Sequence, residues 1–176
     1  MANHEDQANT TVSTGHLAIS HFAQVADYLD RHEWACTSNE EQGLFSIALS
    51  SAAATYWMYI KTSYTSSICN IMVISVLPVK APAVRRPAIA ESLQRINFTL
   101  MQGTAELDFS NGEIRFRTLA TTEGASLSDT LLDYVIDSSF YLAHRYTAPL
   151  LAVAFGNAAP DFVLDMAQVP VATTLQ

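Results

Sequence analysis

The sequence predicts an α+β fold, an antiparallel sheet with helices in the order α-β-β-β-α-β-β-α. Three observations carry this reading. Helix-spaced apolar residues recur in three separate segments. Three strand-like runs follow one another through connections short enough for hairpins. A further strand pair is marked by an Asn-Gly turn. With 176 residues, 49% hydrophobic and 15% charged, the chain can bury a core without disulfide or metal staples.

Residues 1–13 are polar and acidic and predict a disordered tail. The remainder predicts a single domain over 14–168, with a loose tail at 169–176. The first helix begins at residue 16 or 20 and runs to 32, with Phe22, Val25 and Leu29 on one face and Ser20 as its N-cap. A short strand is expected at Trp34–Thr37. "LFSIALS", "TYWMYIKTSY" and "SICNIMVISVL" then read as strands, with Pro78 and Pro82 closing that part of the sheet. A second helix over Pro87–Met101 places Ile89, Leu93, Ile96 and Leu100 on one side, with Gly103 as its C-terminal stop. The third helix starts after Ser126 or Ser128 and reaches Phe155. Pro149 lies inside it and predicts a kink or break near Arg145–Tyr146. "APDFVLDMAQ" adds at most one short helical turn.

"TAELDFSNGEIRFRT" is the most informative stretch. Asn111-Gly112 suits a two-residue type I′ turn, since both central positions need positive φ. That turn sets Phe109 against Ile114, Leu107 against Phe116, Asp108 against Arg115 and Glu106 against Arg117. Apolar meets apolar and acid meets base. A general acid working near neutral pH needs a raised pKa, and facing arginines act the other way. The stretch therefore reads as structure.

Chemistry is hard to find elsewhere. Nine Lys and Arg in a chain of net charge −8 give no phosphate-binding footprint and no polybasic membrane patch, so neither nucleic acid nor membrane is an expected partner. The N-terminus does not read as a targeting peptide, and a cytoplasmic protein is expected. Phosphate-binding glycine loops, a nucleophile elbow and a zinc-binding helix motif are all missing from the sequence. His4, His16, His21, His32 and His144 are scattered, so no metal is expected. Cys36 and Cys69 read as buried thiols. No cofactor and no catalytic residue is assigned.

One feature resists the structural reading. Trp57 and Tyr59 alternate with Tyr56, Met58 and Ile60, and the next strand, containing Ile71 and Val73, is apolar almost throughout. Strands of this kind expect cover on both faces. Either the first and third helices cover one face each, or a second subunit or partner covers one. On the second reading Trp57, Tyr59, Ile71 and Val73 are the candidate partner or dimer surface, with the register that would place the two pairs on one face left open.

"INFTLMQGTAELDFSNGEIRFRTLA" and "LLDYVIDSSFYLAHRYTAPLLAVAFG" resemble the YbjN family, assigned to bacterial sensory transduction regulation. The matching positions are Asn97, Gly103, Glu106, Asp108, Gly112, Glu113, Arg115, Phe116, Arg117, Tyr146, Pro149 and Gly156, with Trp34 and Pro78 matching more weakly. Asn111 completes the turn within this motif. The alanine-rich "SSAAATYWMYI" departs from the family. The resemblance implies a type III secretion chaperone-like fold, a homodimer that binds a client or regulatory protein without catalytic residues. The function expected is thus a non-enzymatic interaction module. A small-molecule-binding regulatory domain is the alternative.

Overall fold

The computed structural model describes residues 21–50, 54–65, 67–123 and 126–166. The expected tails, the Ser20 cap and most of the "SAAA" connection lie outside these residues. Helix α1 covers residues 21–31. Strands β1 (Cys36–Asn39), β2 (Leu44–Ser50), β3 (Thr55–Thr65) and β4 (Ile68–Lys80) follow. A 3-10 turn, Ala83–Arg85, leads into α2 (Arg86–Thr99). The chain continues through β5 (Thr104–Leu107), β6 (Glu113–Glu123), α3 (Asp129–Phe155) and α4 (Phe162–Met166). The α+β class and antiparallel sheet stand as predicted. The six strands lie in the order β1-β2-β3-β4-β6-β5, each pair antiparallel.

The helices pack on one face of this sheet. Phe22 of α1 stacks on Phe45 of β2 at 4.4 Å. Tyr56 of β3 meets Phe140 of α3 edge-on and bonds Thr147 through its hydroxyl. Phe116 of β6 stacks on Tyr146. Ser75 and Ser139, both fully buried, bond each other at 2.9 Å where α3 crosses β4. Two small residues let helix and sheet approach closely there, and the hydrogen bond offsets their desolvation. The first and third helices therefore share a face, and do not cover one each.

The α2 reading holds on Ile89, Leu93 and Ile96, all buried, with proline in the first turn. The helix ends at Thr99, earlier than expected. Gly103 is accordingly not its stop. It lies beyond the helix at φ +83°, and a Cβ there would meet Leu142 Cδ1 at 2.8 Å. For α3 the cap is Ser128, which accepts a bond from the Leu131 N–H.

Four further expectations need correction. The break that Pro149 could have made near Arg145–Tyr146 is absent, because α3 continues through Pro149. Pro149 and its neighbours Tyr146, Leu150 and Val153 are buried, and this packing outweighs one lost backbone bond. Thr147 also ties the preceding turn by donating to the Ala143 carbonyl at 2.7 Å. Pro78 does not end β4, since the strand reaches Lys80 across a register shift between Val76 and Lys80. A bulge gives proline a place without a ladder donor. Cys36 is exposed on the edge strand β1, whereas Cys69 is buried.

The hairpin is the fourth correction. Leu107 faces Ile114, Ala105 faces Phe116, and Glu106 faces Arg115, a shift of two residues from the expected register. The period of a strand is two, so this shift leaves Glu106, Leu107 and the β6 residues on their expected faces, while Asp108 and Phe109 pass into the loop. That is why the expected pairing looked consistent. The connection is a longer loop in which only Gly112 has positive φ, at +81°. Gly112 N–H donates to Asp108 O at 2.7 Å, and Asn111 Oδ1 accepts from Glu113 N–H at 2.7 Å.

Candidate functional site: the outer face of the sheet

Strand alternation and the observed register decide what the other face displays. Ala48, Trp57, Val76 and Arg115 lie side by side across β2, β3, β4 and β6. Ser46, Tyr59, Ile74 and Arg117 form the next row, and Leu44, Lys61, Met72 and Leu119 the third. Trp57 is 53% exposed and Leu119 51%, while Tyr59, Met72, Ile74 and Val76 are half-buried. The contacts described for α1 and α3 all reach the opposite face. The result is an apolar surface centred on β3 and β4 with charges around it.

Trp57 and Tyr59 sit on this face as expected. Ile71 and Val73 do not: both are 0% exposed and belong to the core beneath the sheet. The observed register pairs Tyr59 with Ile74 and Trp57 with Val76, so the outer residues of β4 are Met72, Ile74 and Val76. The sequence could not separate the two sets, because both faces of β4 are apolar and only pairing with β3 assigns them. Leu119, on β6, was also missed, although it shares the outward parity of Arg115 and Arg117.

Arg115 and Arg117 border this surface. Both bond Glu106, Arg115 Nε at 2.7 Å and Arg117 Nη2 at 2.6 Å. Glu106 therefore joins two arginines, not the single one expected. Asp108 bonds within the loop. It accepts from the hydroxyl and backbone N–H of Ser110 at 2.6 and 2.8 Å, and these bonds lower its pKa from the usual carboxylate value. It organises the loop.

Asn97 acts at the sheet edge. Its Nδ2 donates to Ala105 O at 3.0 Å, and its Oδ1 accepts from Ala105 N–H at 2.7 Å. The side-chain amide thus takes the place that a neighbouring strand's peptide would occupy beside β5. Of the two edge strands, β5 is tied there and β1 is exposed at all four residues.

Elsewhere two arginines help to pack the helices. Arg31 forks onto Asp129 at 2.7 and 2.9 Å. Arg85 donates to Val153 O and Ala158 O. Among the described residues no group of three or more His, Cys, Asp or Glu is placed to hold a metal ion, and no helix is long and apolar enough to cross a membrane. Glu41, Gln42, Leu44 and Lys61 line a shallow hollow at one end of the outer face.

No protein-family model and no curated protein matches the sequence. Among solved structures, the chain is similar in outline to a crystal structure of YbjN, a candidate transcription regulator from E. coli. The TM-score is 0.42 at 10% identity, over 84% of this chain and 91% of that one. A likeness at that level assigns neither a family nor a residue role.

Proposed function

We propose that this chain is a non-enzymatic protein-interaction module, an adaptor or regulator that acts as a homodimer and holds another protein on the outer face of its sheet. The observation that carries this reading is the patch of exposed Trp57 and half-buried Tyr59, Met72, Ile74 and Val76 on a face opposite the helices. Large exposed apolar patches mark interaction sites, and aromatic anchors dominate such interfaces. Arg115, Arg117 and Glu106 supply a polar rim.

A small-molecule-binding domain is the second reading. The hollow at Glu41, Gln42, Leu44 and Lys61 is the feature to test for it, but two of its four residues are charged, unlike a typical apolar ligand pocket. Native pulldown with the wild type and Trp57→Ser separates the two. Retention of one specific protein by the wild type, lost in the variant, supports the interaction module. A co-purified metabolite seen by native mass spectrometry, unaffected by Trp57→Ser, supports the ligand-binding domain. Light scattering over a dilution series reads the homodimer as twice the chain mass of 19.2 kDa.

A further inference from the structure

The shape and charge of the outer sheet face narrow the kind of partner it can take. Its large apolar side chains lie on two adjacent strands, Trp57 beside Val76 and Tyr59 beside Ile74, with Met72 next along β4. The two flanks differ. On the β2 side the neighbours are small, Ala48 and Ser46. On the β6 side they are Arg115 and Arg117. A pair of adjacent strands occupies about 10 Å of sheet, about the width of one α-helix with its side chains. The three rows, two residues apart, span about 14 Å, the length of about nine helical residues. An extended segment fits less well, because its main-chain bonds form at a sheet edge. Added at β1, it would lie beyond β2 and miss Trp57, and Asn97 already bonds the edge at β5.

Charge sets the sign of the partner. Arg31 bonds both Asp27 and Asp129, and Arg95 has Glu91 to itself. On the outer face the ratio is reversed, since Arg115 and Arg117 share Glu106. Their side chains remain 42% and 39% exposed. A guanidinium has more donors than one such bond uses, and its fork matches a second carboxylate. The other acids of β6 stand at its ends, Glu113 opposite Lys80 and Glu123 opposite Ile68. Lys61 has Glu41 near it in the shallow hollow. Excess positive charge therefore lies beside Trp57 and Tyr59, in a chain of net charge −8. We propose that the outer face takes an amphipathic α-helix of the partner protein, laid along β3 and β4. Its apolar stripe rests on Trp57, Tyr59, Ile74 and Val76, and its acidic flank lies over Arg115 and Arg117. The proposal rests on this face being the protein-binding surface, and adds the conformation and charge of what binds.

Labelled peptides test it by fluorescence anisotropy against the full chain. Three helix-forming peptides share one leucine stripe and carry Glu, Gln or Lys along one flank. A fourth keeps the acidic composition but has internal prolines that forbid a helix. The Glu peptide is expected to bind about tenfold tighter than the Gln peptide, an advantage that shrinks as salt rises. The Lys peptide is expected to bind weakest. Arg117→Gln leaves Arg115 to hold Glu106, and should remove the advantage of the Glu peptide alone. Trp57→Ser should weaken all three. Phe98→Ser, at a site 90% exposed on α2, is the control and should change nothing; circular dichroism confirms folding of each variant. Equal affinity for the three flanks, lost in Trp57→Ser, overturns the acidic partner and keeps the sheet face. Equal affinity for the proline peptide overturns the helix. A labelled oligothymidine that binds as tightly as the Glu peptide overturns the choice of a protein partner over nucleic acid. Binding that survives Trp57→Ser, or no binding by any peptide, overturns the proposal, and the pulldown then decides the sheet-face reading separately.

Discussion

Gly112 is held by two separate constraints. Its φ of +81° is strained for a side chain, and a Cβ would stand 2.2 Å from Ala81 O. The end of β4 passes directly over the loop here, with Ala81 N–H donating to Gly112 O at 2.7 Å. Gly112→Val is therefore expected to cost about 2 kcal/mol or more, read as a lower urea midpoint; an unchanged midpoint would contradict the geometry. Glu106→Gln should cost only about 1 kcal/mol, as partly exposed pairs do, with the protein still folded. Tyr28 carries a pH dependence. Burial first, and then its hydroxyl bond to Asp133 Oδ1 at 2.7 Å, raise its pKa above the ordinary tyrosine value. The folded state thus favours the protonated phenol. Its contribution is whole below about pH 10, the unfolded value, and is lost as pH climbs beyond it. Tyr28→Phe should be less stable than wild type at pH 8, and the gap should narrow toward pH 11. A gap independent of pH would remove the phenol as its source.

Strand β5 is short and lies at the sheet edge, where unpaired backbone groups invite another chain. Asn97 closes part of that edge by bonding both polar groups of Ala105. Asn97→Ala is expected to destabilise the fold by about 1–3 kcal/mol and to speed hydrogen exchange at the Ala105 amide. An unchanged exchange rate there would show that the two bonds are not held in solution. Asn97 was readable from sequence as a family-like position, although its bonds to Ala105 were not. Elements whose period matched their burial were equally readable: β2 with inward Phe45 and Ile47, and α2 with Ile89, Leu93 and Ile96. Misreadings arose where packing overrode a local signal, as at Pro149, Pro78 and the Asn111-Gly112 turn. The candidate site was half readable. Trp57 and Tyr59 face outward as proposed, but Ile71 and Val73 face the core, because a strand apolar on both sides does not encode which side is covered.

At the scale of the whole molecule, the helices are gathered on one side of a six-stranded sheet, and two apolar surfaces remain in the open. One is the sheet face around Trp57, and the other surrounds Phe98 of α2. They lie on different elements. The central claim is that the outer sheet face is the binding surface. It is tested most directly by placing a photoreactive p-benzoylphenylalanine at position 57, and in a separate chain at exposed Tyr134 of α3, then irradiating whole cells. A discrete protein adduct at position 57, absent at 134 and lost when Ile74→Ser is added, is the expected result. No adduct at 57, or the same adducts at both positions, would contradict it.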